Sequence, residues 1–242
     1  MTEICLTDRA FWERYWTNYQ YEKIPSKIIY SSYIRHFQNK KSFIEIGGFP
    51  GINAAYFYKN VCKDVTLLDF YIDKKIVNNL ETYNQIPVNT IQCIESDFLK
   101  FENDRYYDIV LSVGFIEHFK NTKDIIECHV KLLSDKGSLL IILPNFRGIN
   151  GFLQYISDRK HFKAHNLNSM KIKNLKQIMY ELKFDNAQIS YTRKPMLWLE
   201  PKPTKANKIE RKIIKVFSYA LKLFPIKCRL LSPYIIIFAK KQ

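Results

Sequence analysis

Between residues 42 and 145, short apolar runs alternate with stretches of helical periodicity about a dozen residues long. No other feature narrows the fold as much. Runs suited to strands lie at 42–46 (SFIEI), 64–70 (DVTLLDF), 89–98 (NTIQCIESDF), 107–114 (YDIVLSVG) and 137–145 (GSLLIILPN). Helical patterns occupy 52–61, 73–84 and 122–134. Strands that alternate with helices in this way form crossover units and a mostly parallel sheet. Right-handed crossovers then place helices on both faces, giving a doubly wound α/β fold. Two more strands are expected at 187–193 and 233–241, reached through a long, partly helical segment at 148–184 and a basic helical stretch at 205–224. At the other end, 8–20 (Asp8 as N-cap) and 25–39 (Pro25 at its start) are expected as helices.

A doubly wound sheet binds its ligand at the carboxyl ends of the strands, where the strand order reverses. The turn after the first strand, EIGGFPG at 45–51, is therefore the place to look. Gly47, Gly48 and Gly51 allow close backbone approach, but the spacing is not the G-x-G-x-x-G of a dinucleotide fold, because Phe49 and Ile52 occupy the later positions. Glu45 just before the loop suits a cationic ligand better than a pyrophosphate. Asp69 closes the second strand, where an acid accepts hydrogen bonds from ribose hydroxyls. Asp97 closes the third, where an acid accepts from an exocyclic amine such as that of adenine. Together these three carboxylates fit S-adenosylmethionine, whose sulfur is a sulfonium. Asp is also a favoured N-cap, so Asp69 and Asp97 have capping as an alternative role.

With these motifs in order, the chain resembles the class I S-adenosylmethionine-dependent methyltransferases of small-molecule type. The loop is similar to that family's E-x-G-x-G-x-G, with Phe49 replacing the middle glycine. YDIVLSVGFIEHF at 107–119 resembles the family's fourth strand running into a turn with Glu-His, and LLSDKGSLLIILPN at 132–145 the helix, glycine and strand that follow. The resemblance implies a Rossmann-like, seven-stranded sheet with an antiparallel last strand at 233–241. It implies one domain: N-terminal helices over the active site (1–40), a cofactor-binding core (41–145), an acceptor-side helical segment (146–186), and terminal strands with a basic amphipathic insertion (187–242). Cofactor contacts carried over are Glu45, Gly47, Gly48, Phe49, Gly51, Asp69, Phe70, Asp97, Phe98, Val113 and Gly114. The product would be S-adenosylhomocysteine.

His118, in the Glu-His turn, is the first choice for a base that takes a proton from an acceptor hydroxyl, with pocket-shaping as its other role. His165 is a distant second. His161 and His165 stand four apart and share a helical face, yet no third ligand accompanies them, and Gly114 stands where an acidic partner for Glu117 and His118 would be wanted; no metal is expected. Asn145, Arg147 and Asn150, in PNFRGING after the fifth strand, are expected to meet the acceptor, with Arg147 suited to a phosphate or carboxylate. That segment and the basic tail resemble methyltransferases of bacterial capsule and lipopolysaccharide clusters, which implies O-methylation of a sugar or of a phosphate or phosphoramidate group. An RNA methyltransferase and a non-catalytic binding subunit are the alternatives.

The net charge of +15 is concentrated at one end: residues 193–242 carry thirteen Lys/Arg against Glu200 and Glu210. Within it, KIERKIIKVFSYALKLF at 208–224 places Ile209, Ile213, Val216, Phe217, Ala220 and Phe224 opposite Lys208, Arg211, Lys212, Lys215 and Lys222, an amphipathic basic helix. It either packs on the sheet with a solvated charged back or contacts an anionic membrane or polyanion. Nucleic acid is disfavoured, since no dense basic-aromatic array precedes residue 193. No run is long enough to span a bilayer, no signal-peptide pattern opens the chain, and the five cysteines lack a C-x-x-C pair. A cytoplasmic protein, peripheral to the inner membrane face, is the expectation.

Overall fold

The computed structural model describes residues 5–17, 19, 23–192, 194–199, 205–221, 223 and 226–242. Lys222 and Phe224 of the predicted amphipathic helix, and Arg193, Glu200, Pro201 and Pro203 of the segment before it, lie outside the described residues. Seven strands form one sheet: β1 (Ser42–Ile46), β2 (Asp64–Asp69), β3 (Gln92–Glu95), β4 (Tyr107–Val113), β5 (Leu133–Pro144), β6 (Gln188–Tyr191) and β7 (Tyr234–Lys240), in the order β3-β2-β1-β4-β5-β7-β6. β1 pairs in parallel with β2 and β4, and β2 with β3. β7 runs against its neighbours. Asn145 N–H donates to the Pro233 carbonyl, Lys241 N–H to Gly137, and Thr192 N–H to Tyr234, so the start of β7 meets the ends of β5 and β6. The expected seven strands with an antiparallel last one are therefore present.

The helices are α1 (Arg9–Trp16), α2 (Ile52–Asn60), α3 (Lys74–Tyr83), α4 (Thr122–Lys131), α5 (Ile149–Ser157), α6 (Arg159–Lys163), α7 (Ile172–Glu181) and α8 (Lys205–Leu221). α2 and α3 link β1, β2 and β3 in one direction along the sheet, whereas α4 links β4 to β5 in the other. Right-handed crossovers put the two groups on opposite faces. Asp8 caps α1 by accepting from Phe11 N–H, and Asp73 caps α3. One expected helix is absent. Residues 25–39 hold only a 3-10 turn at Ser31–Phe37, with Pro25 in the loop before it. Its aromatic residues dominate: Tyr30 and Phe37 are buried against Phe57, so packing, not helical periodicity, sets this segment.

Contacts divide the chain into two compact units. One comprises residues 7–115, 123–141 and 238–242; the other comprises 1–6, 116–122 and 142–237. The first holds a core of Phe43, Ile44, Leu67, Leu68, Leu80 and Leu111, all essentially sealed from solvent. In the second, Phe146, Met170, Leu175 and Met179 are buried. All five cysteines are free thiols.

Candidate active site

The strand order reverses between β1 and β4, so the loop after β1 lies at the switch point. Gly47 and Gly51 there adopt φ of +64° and +98°, left-handed values that a side chain disfavours. Gly48 is required for another reason: a Cβ on it would collide with Cδ and Cγ of Glu45 and lie 2.5 Å from Oε1. Glu45 itself points inward and is buried. Its Oε1 accepts from Asn53 Nδ2 at 2.7 Å and its Oε2 from Ala54 N–H at 3.0 Å, so the carboxyl ties the loop to the start of α2 from behind. Burial pushes its pKa up to about 8. The sequence suggested a carboxylate facing a cation; in the structure both of its oxygens are engaged by the protein.

Asp69 stands at the tip of β2 as expected. Its Oδ2 accepts from the Phe49 N–H at 2.9 Å, clasping the glycine loop, and burial raises its pKa to about 6. Its Oδ1 accepts from the Tyr71 N–H at 3.4 Å, so both oxygens already serve the chain and only their remaining lone pairs are left for a ligand. Phe49 is buried edge-on against Trp16 of α1 and Tyr71. Arg9 of α1 forms an ion pair with Glu95 at 2.8 Å and lies over the Tyr71 ring, which keeps α1 against this strand end. Phe70 is partly exposed. Asp97 accepts from Leu99 N–H at 3.1 Å and approaches Lys100 at 3.7 Å, so it also supports its own turn, the alternative role noted above. Phe98 is buried against Phe115 and His129. Val113 ends β4, and Gly114 takes φ +69°. His129 is structural, with Nδ1 on the Ile125 carbonyl and Nε2 accepting from Ser112.

The second unit carries a polar cluster that the sequence showed only in fragments. Glu117, His118 and His165 are all buried, and they offer ligand-type atoms within 4.8 Å of one another. Hydrogen bonds fix their two segments together. His118 Nδ1 donates to the Ala164 carbonyl at 3.0 Å, Asn166 N–H to the Glu117 carbonyl at 2.7 Å, and Asn166 Nδ2 to the Phe119 carbonyl at 2.9 Å. His165 Nδ1 donates to the His161 carbonyl at 2.8 Å. His161 thus orients His165, and the partner that shares the cluster with His165 is His118. Glu117 Oε2 is buried without a hydrogen-bond partner among the described residues. Burial pushes the Glu117 pKa to about 8 and those of His118 and His165 down to about 4 and 3.

The side-chain amides of Asn145 and Asn150, expected to meet the acceptor, are both hydrogen-bonded within the chain. Asn145 Nδ2 donates to the Arg229 and Ser232 carbonyls at 2.8 and 2.7 Å. Asn150 donates to the Met196 carbonyl at 2.8 Å and accepts from Trp198 N–H at 3.1 Å. Both amides pin neighbouring chain, and burial makes those bonds necessary. Arg147 is half-buried at the start of α5.

A family described as a methyltransferase domain matches residues 8–189. The mitochondrial ubiquinone biosynthesis O-methyltransferase of Dictyostelium discoideum is 30% identical over 107 residues, which is 44% of this chain and 30% of that protein. The match thus spans under a third of that relative's length. Among solved structures, an S-adenosylmethionine-dependent methyltransferase from Archaeoglobus fulgidus superposes with a TM-score of 0.54 at 17% identity, covering 87% of this chain and 90% of the other. The plantazolicin methyltransferase BpumL gives 0.57 at 16% identity over 88% and 82%. Phosphoethanolamine N-methyltransferase 2 of Haemonchus contortus gives 0.59 at 14% identity over 87% and 51%. These three similarities concern the fold.

Proposed function

The chain belongs to the methyltransferase-domain family, and on that premise we propose that it transfers the methyl group of S-adenosylmethionine to an oxygen atom of a sugar, phosphate or phosphoramidate in bacterial surface-polysaccharide assembly. The observation that carries the donor assignment is the loop at 47–51: two left-handed glycines clasped by Asp69, itself at the strand tip where ribose hydroxyls are bound. The residues present fit that donor. Asp69 keeps acceptor capacity beside its bonds from Phe49 and Tyr71, the left-handed glycines 47 and 51 shape the loop, and Phe98 and Phe115 supply aromatic surface. When bound, the donor supplies a methyl group on a positively charged sulfur. Among the chain's own residues, the Glu117–His118–His165 cluster is the polar equipment for an acceptor hydroxyl that must lose its proton. Arg147 is the cation for an acceptor already anionic. That the curated relative is named an O-methyltransferase supports oxygen as the acceptor atom.

Isothermal titration with S-adenosylmethionine and S-adenosylhomocysteine tests the donor. Transfer of radiolabelled methyl to capsule or lipopolysaccharide precursors tests the acceptor. Absence of binding would favour a non-catalytic subunit, and labelling of RNA in place of glycan would overturn the acceptor. His118→Ala should slow turnover by about a hundredfold or more, the range lost with a group that assists proton transfer. A native rate removes the cluster from the reaction.

The tail supports a second, independent reading: docking of α8 to an anionic lipid surface. Its predicted apolar stripe does not pack inward. Ile209, Ile213, Val216 and Phe217 are 60%, 52%, 70% and 63% exposed, while Ser218 and Asn207 are buried, with Ser218 Oγ accepting from Leu197 N–H. Lys208, Arg211, Lys212 and Lys215 are exposed along one flank of that stripe. Two copies meeting through this face would oppose like charges, whereas a lipid surface satisfies both features, with about 1 kcal/mol per basic group. Co-sedimentation with phosphatidylglycerol vesicles, released by salt and abolished in Ile213→Asp, is expected. Equal binding to neutral vesicles, or none to either, refutes it. No helix among the described residues is long and apolar enough to cross a membrane.

A further inference from the structure

The exposed apolar residues of the chain are not scattered. Eighteen large apolar or aromatic side chains are exposed among the described residues, and ten of them lie on three pieces of one compact unit: three on α5, five on α8 and two in the segment 226–230. We propose that these pieces form one surface that lies on an anionic lipid bilayer, with Phe152 and Ile156 of α5 and Leu230 entering it beside the stripe of α8. This surface extends the α8 docking proposed above and rests on it.

Hydrogen bonds join the three pieces. Ser157, at the end of α5, donates from Oγ to Glu210 of α8 at 3.4 Å. At the start of α5, Ile149 N–H donates to the Leu230 carbonyl at 2.9 Å, and Asn145 Nδ2 donates to the Arg229 carbonyl at 2.8 Å. The approach there is so close that a Cβ on Gly148 would lie 2.4 Å from both of those carbonyl oxygens. α5 is therefore held at one end by α8 and at the other by 226–230.

Helical geometry decides what each piece presents. With about 100° between successive residues, Glu210 falls between the Phe217 side of the α8 stripe and the buried Asn207 and Ser218. α5 thus meets α8 on the stripe's side, with Lys208, Arg211, Lys212 and Lys215 on the far flank. α5 buries Asn150, Gly151 and Gln154, and turns Phe152 and Ile156, one helical turn apart, outward at 63% and 65% exposure. Leu230 is 58% exposed and Ile226 50%. Apolar side chains exposed singly need no partner, but a group of this size on joined elements marks an interaction surface.

Charge selects the partner. Arg159 and Lys160 follow α5, Lys227 and Arg229 precede Leu230, and all four are exposed, as are the four basic residues of α8. The two acids here serve the chain: Asp158 accepts from His161 N–H, and Glu210 from Ser157. The Arg159 guanidinium lies over the Tyr155 ring at 4.6 Å, a pairing suited to the headgroup level, where aromatic rings and long basic side chains collect. A second copy would set two such basic rims against each other. Anionic headgroups neutralise the rim while the acyl region receives the apolar side chains.

The test uses the purified full chain in co-sedimentation with vesicles of phosphatidylglycerol and phosphatidylcholine. Phe152→Asp and Leu230→Asp should each weaken binding at least about fivefold, the scale of withdrawing one large apolar side chain from an apolar surface. Arg159→Glu combined with Lys160→Glu should weaken binding and flatten its dependence on salt. Tyr180→Asp, at a residue of α7 that is as exposed as Phe152, should bind as the native chain does. Melting by circular dichroism checks folding, and either Phe152→Asp or Leu230→Asp decides the matter should the other fail to fold. A folded Phe152→Asp or Leu230→Asp that binds like the native chain, while Ile213→Asp does not, overturns this surface and leaves α8 docking standing. No binding by the native chain overturns both. An equal loss in Tyr180→Asp, or a vesicle-free dimer that Phe152→Asp dissociates, also overturns the surface, the second by showing that another copy covers it.

Discussion

Replacing Gly48 with alanine should damage the protein through one identifiable neighbour, the buried carboxyl of Glu45. Gly48 needs no left-handed backbone, so an added methyl costs nothing in torsion. The methyl would instead meet Glu45 Oε1 at 2.5 Å and overlap its Cδ and Cγ, against an ordinary contact of about 3.4 Å or more. The carboxyl would have to retreat by about an ångström. That retreat breaks the 2.7 Å bond from Asn53 and the 3.0 Å bond from Ala54 in a site with no water exposure. Each buried group left unpaired costs about 1–3 kcal/mol, and overpacking about 1–3 kcal/mol. Gly48→Ala should therefore lose about 3–6 kcal/mol. Equilibrium unfolding in urea, followed by circular dichroism, measures it. The decisive comparison is a double-mutant cycle with Glu45→Ala, which removes the atoms the methyl strikes. In that background Gly48→Ala should cost under about 1 kcal/mol, giving a coupling of at least about 2 kcal/mol. Additive losses would show that the glycine serves something other than the Glu45 latch.

Three further outcomes follow from the same geometry. Asp69→Asn keeps an oxygen for the Phe49 N–H but loses the charge and one acceptor position. It should weaken S-adenosylmethionine binding at least tenfold by calorimetry while lowering stability by no more than about 1.5 kcal/mol; unchanged affinity would refute the ribose assignment. Glu45 has a folded pKa near 8, above that of the unfolded chain, so the native state holds its proton through the window from about pH 4.5 to 8 and loses stability as pH rises across it. Between pH 5 and pH 8 the native protein should lose more unfolding free energy than Glu45→Gln, a comparison in which the other titrating groups cancel; equal losses would contradict the raised pKa. Asn145→Ala should cost about 2–4 kcal/mol by freeing the carbonyls of Arg229 and Ser232, and should leave the KM for the acceptor within twofold, whereas a selective rise in KM would restore it to the acceptor pocket.

The sheet was legible because period and punctuation agreed. SFIEI, DVTLLD and YDIVLSV are apolar runs closed by turn residues, and each became a strand within a residue or two of its expected ends. Asp8 announced a helix start by the ordinary chemistry of an N-cap, and it serves as one. Residues 25–39 misled because their apolar spacing is that of buried aromatics, Tyr30 and Phe37, which lock a short 3-10 turn in place without a helix. The amphipathic character of α8 was visible, but not which face the protein would cover. Ser218 and Asn207 are buried and the apolar stripe is exposed, an arrangement that periodicity alone reads backwards.

The site divides along the same line between local and non-local information. The glycine loop is local: φ values at Gly47 and Gly51 follow from residue type and turn geometry, so the sequence exposed them. Direction of a side chain is not local. Glu45 turns inward to α2 because two N–H donors at a helix start need an acceptor, and the amides of Asn145 and Asn150 are committed because carbonyls of chain far along the sequence need donors. The cluster of Glu117, His118 and His165 is the extreme case. Helical spacing pairs His161 with His165, but the fold uses the His161 carbonyl to aim His165 at a turn from another part of the chain. A two-residue signal, Glu-His, gained its third member only when Asn166 bridged the two segments. Chemistry that depends on three donors meeting is thus a property of the tertiary hydrogen bonds that hold them. Asn166→Ala, which removes the bonds from Asn166 Nδ2 to the Phe119 and Lys120 carbonyls, should lower stability by about 1–3 kcal/mol in urea unfolding, and an unchanged midpoint would refute the bridge.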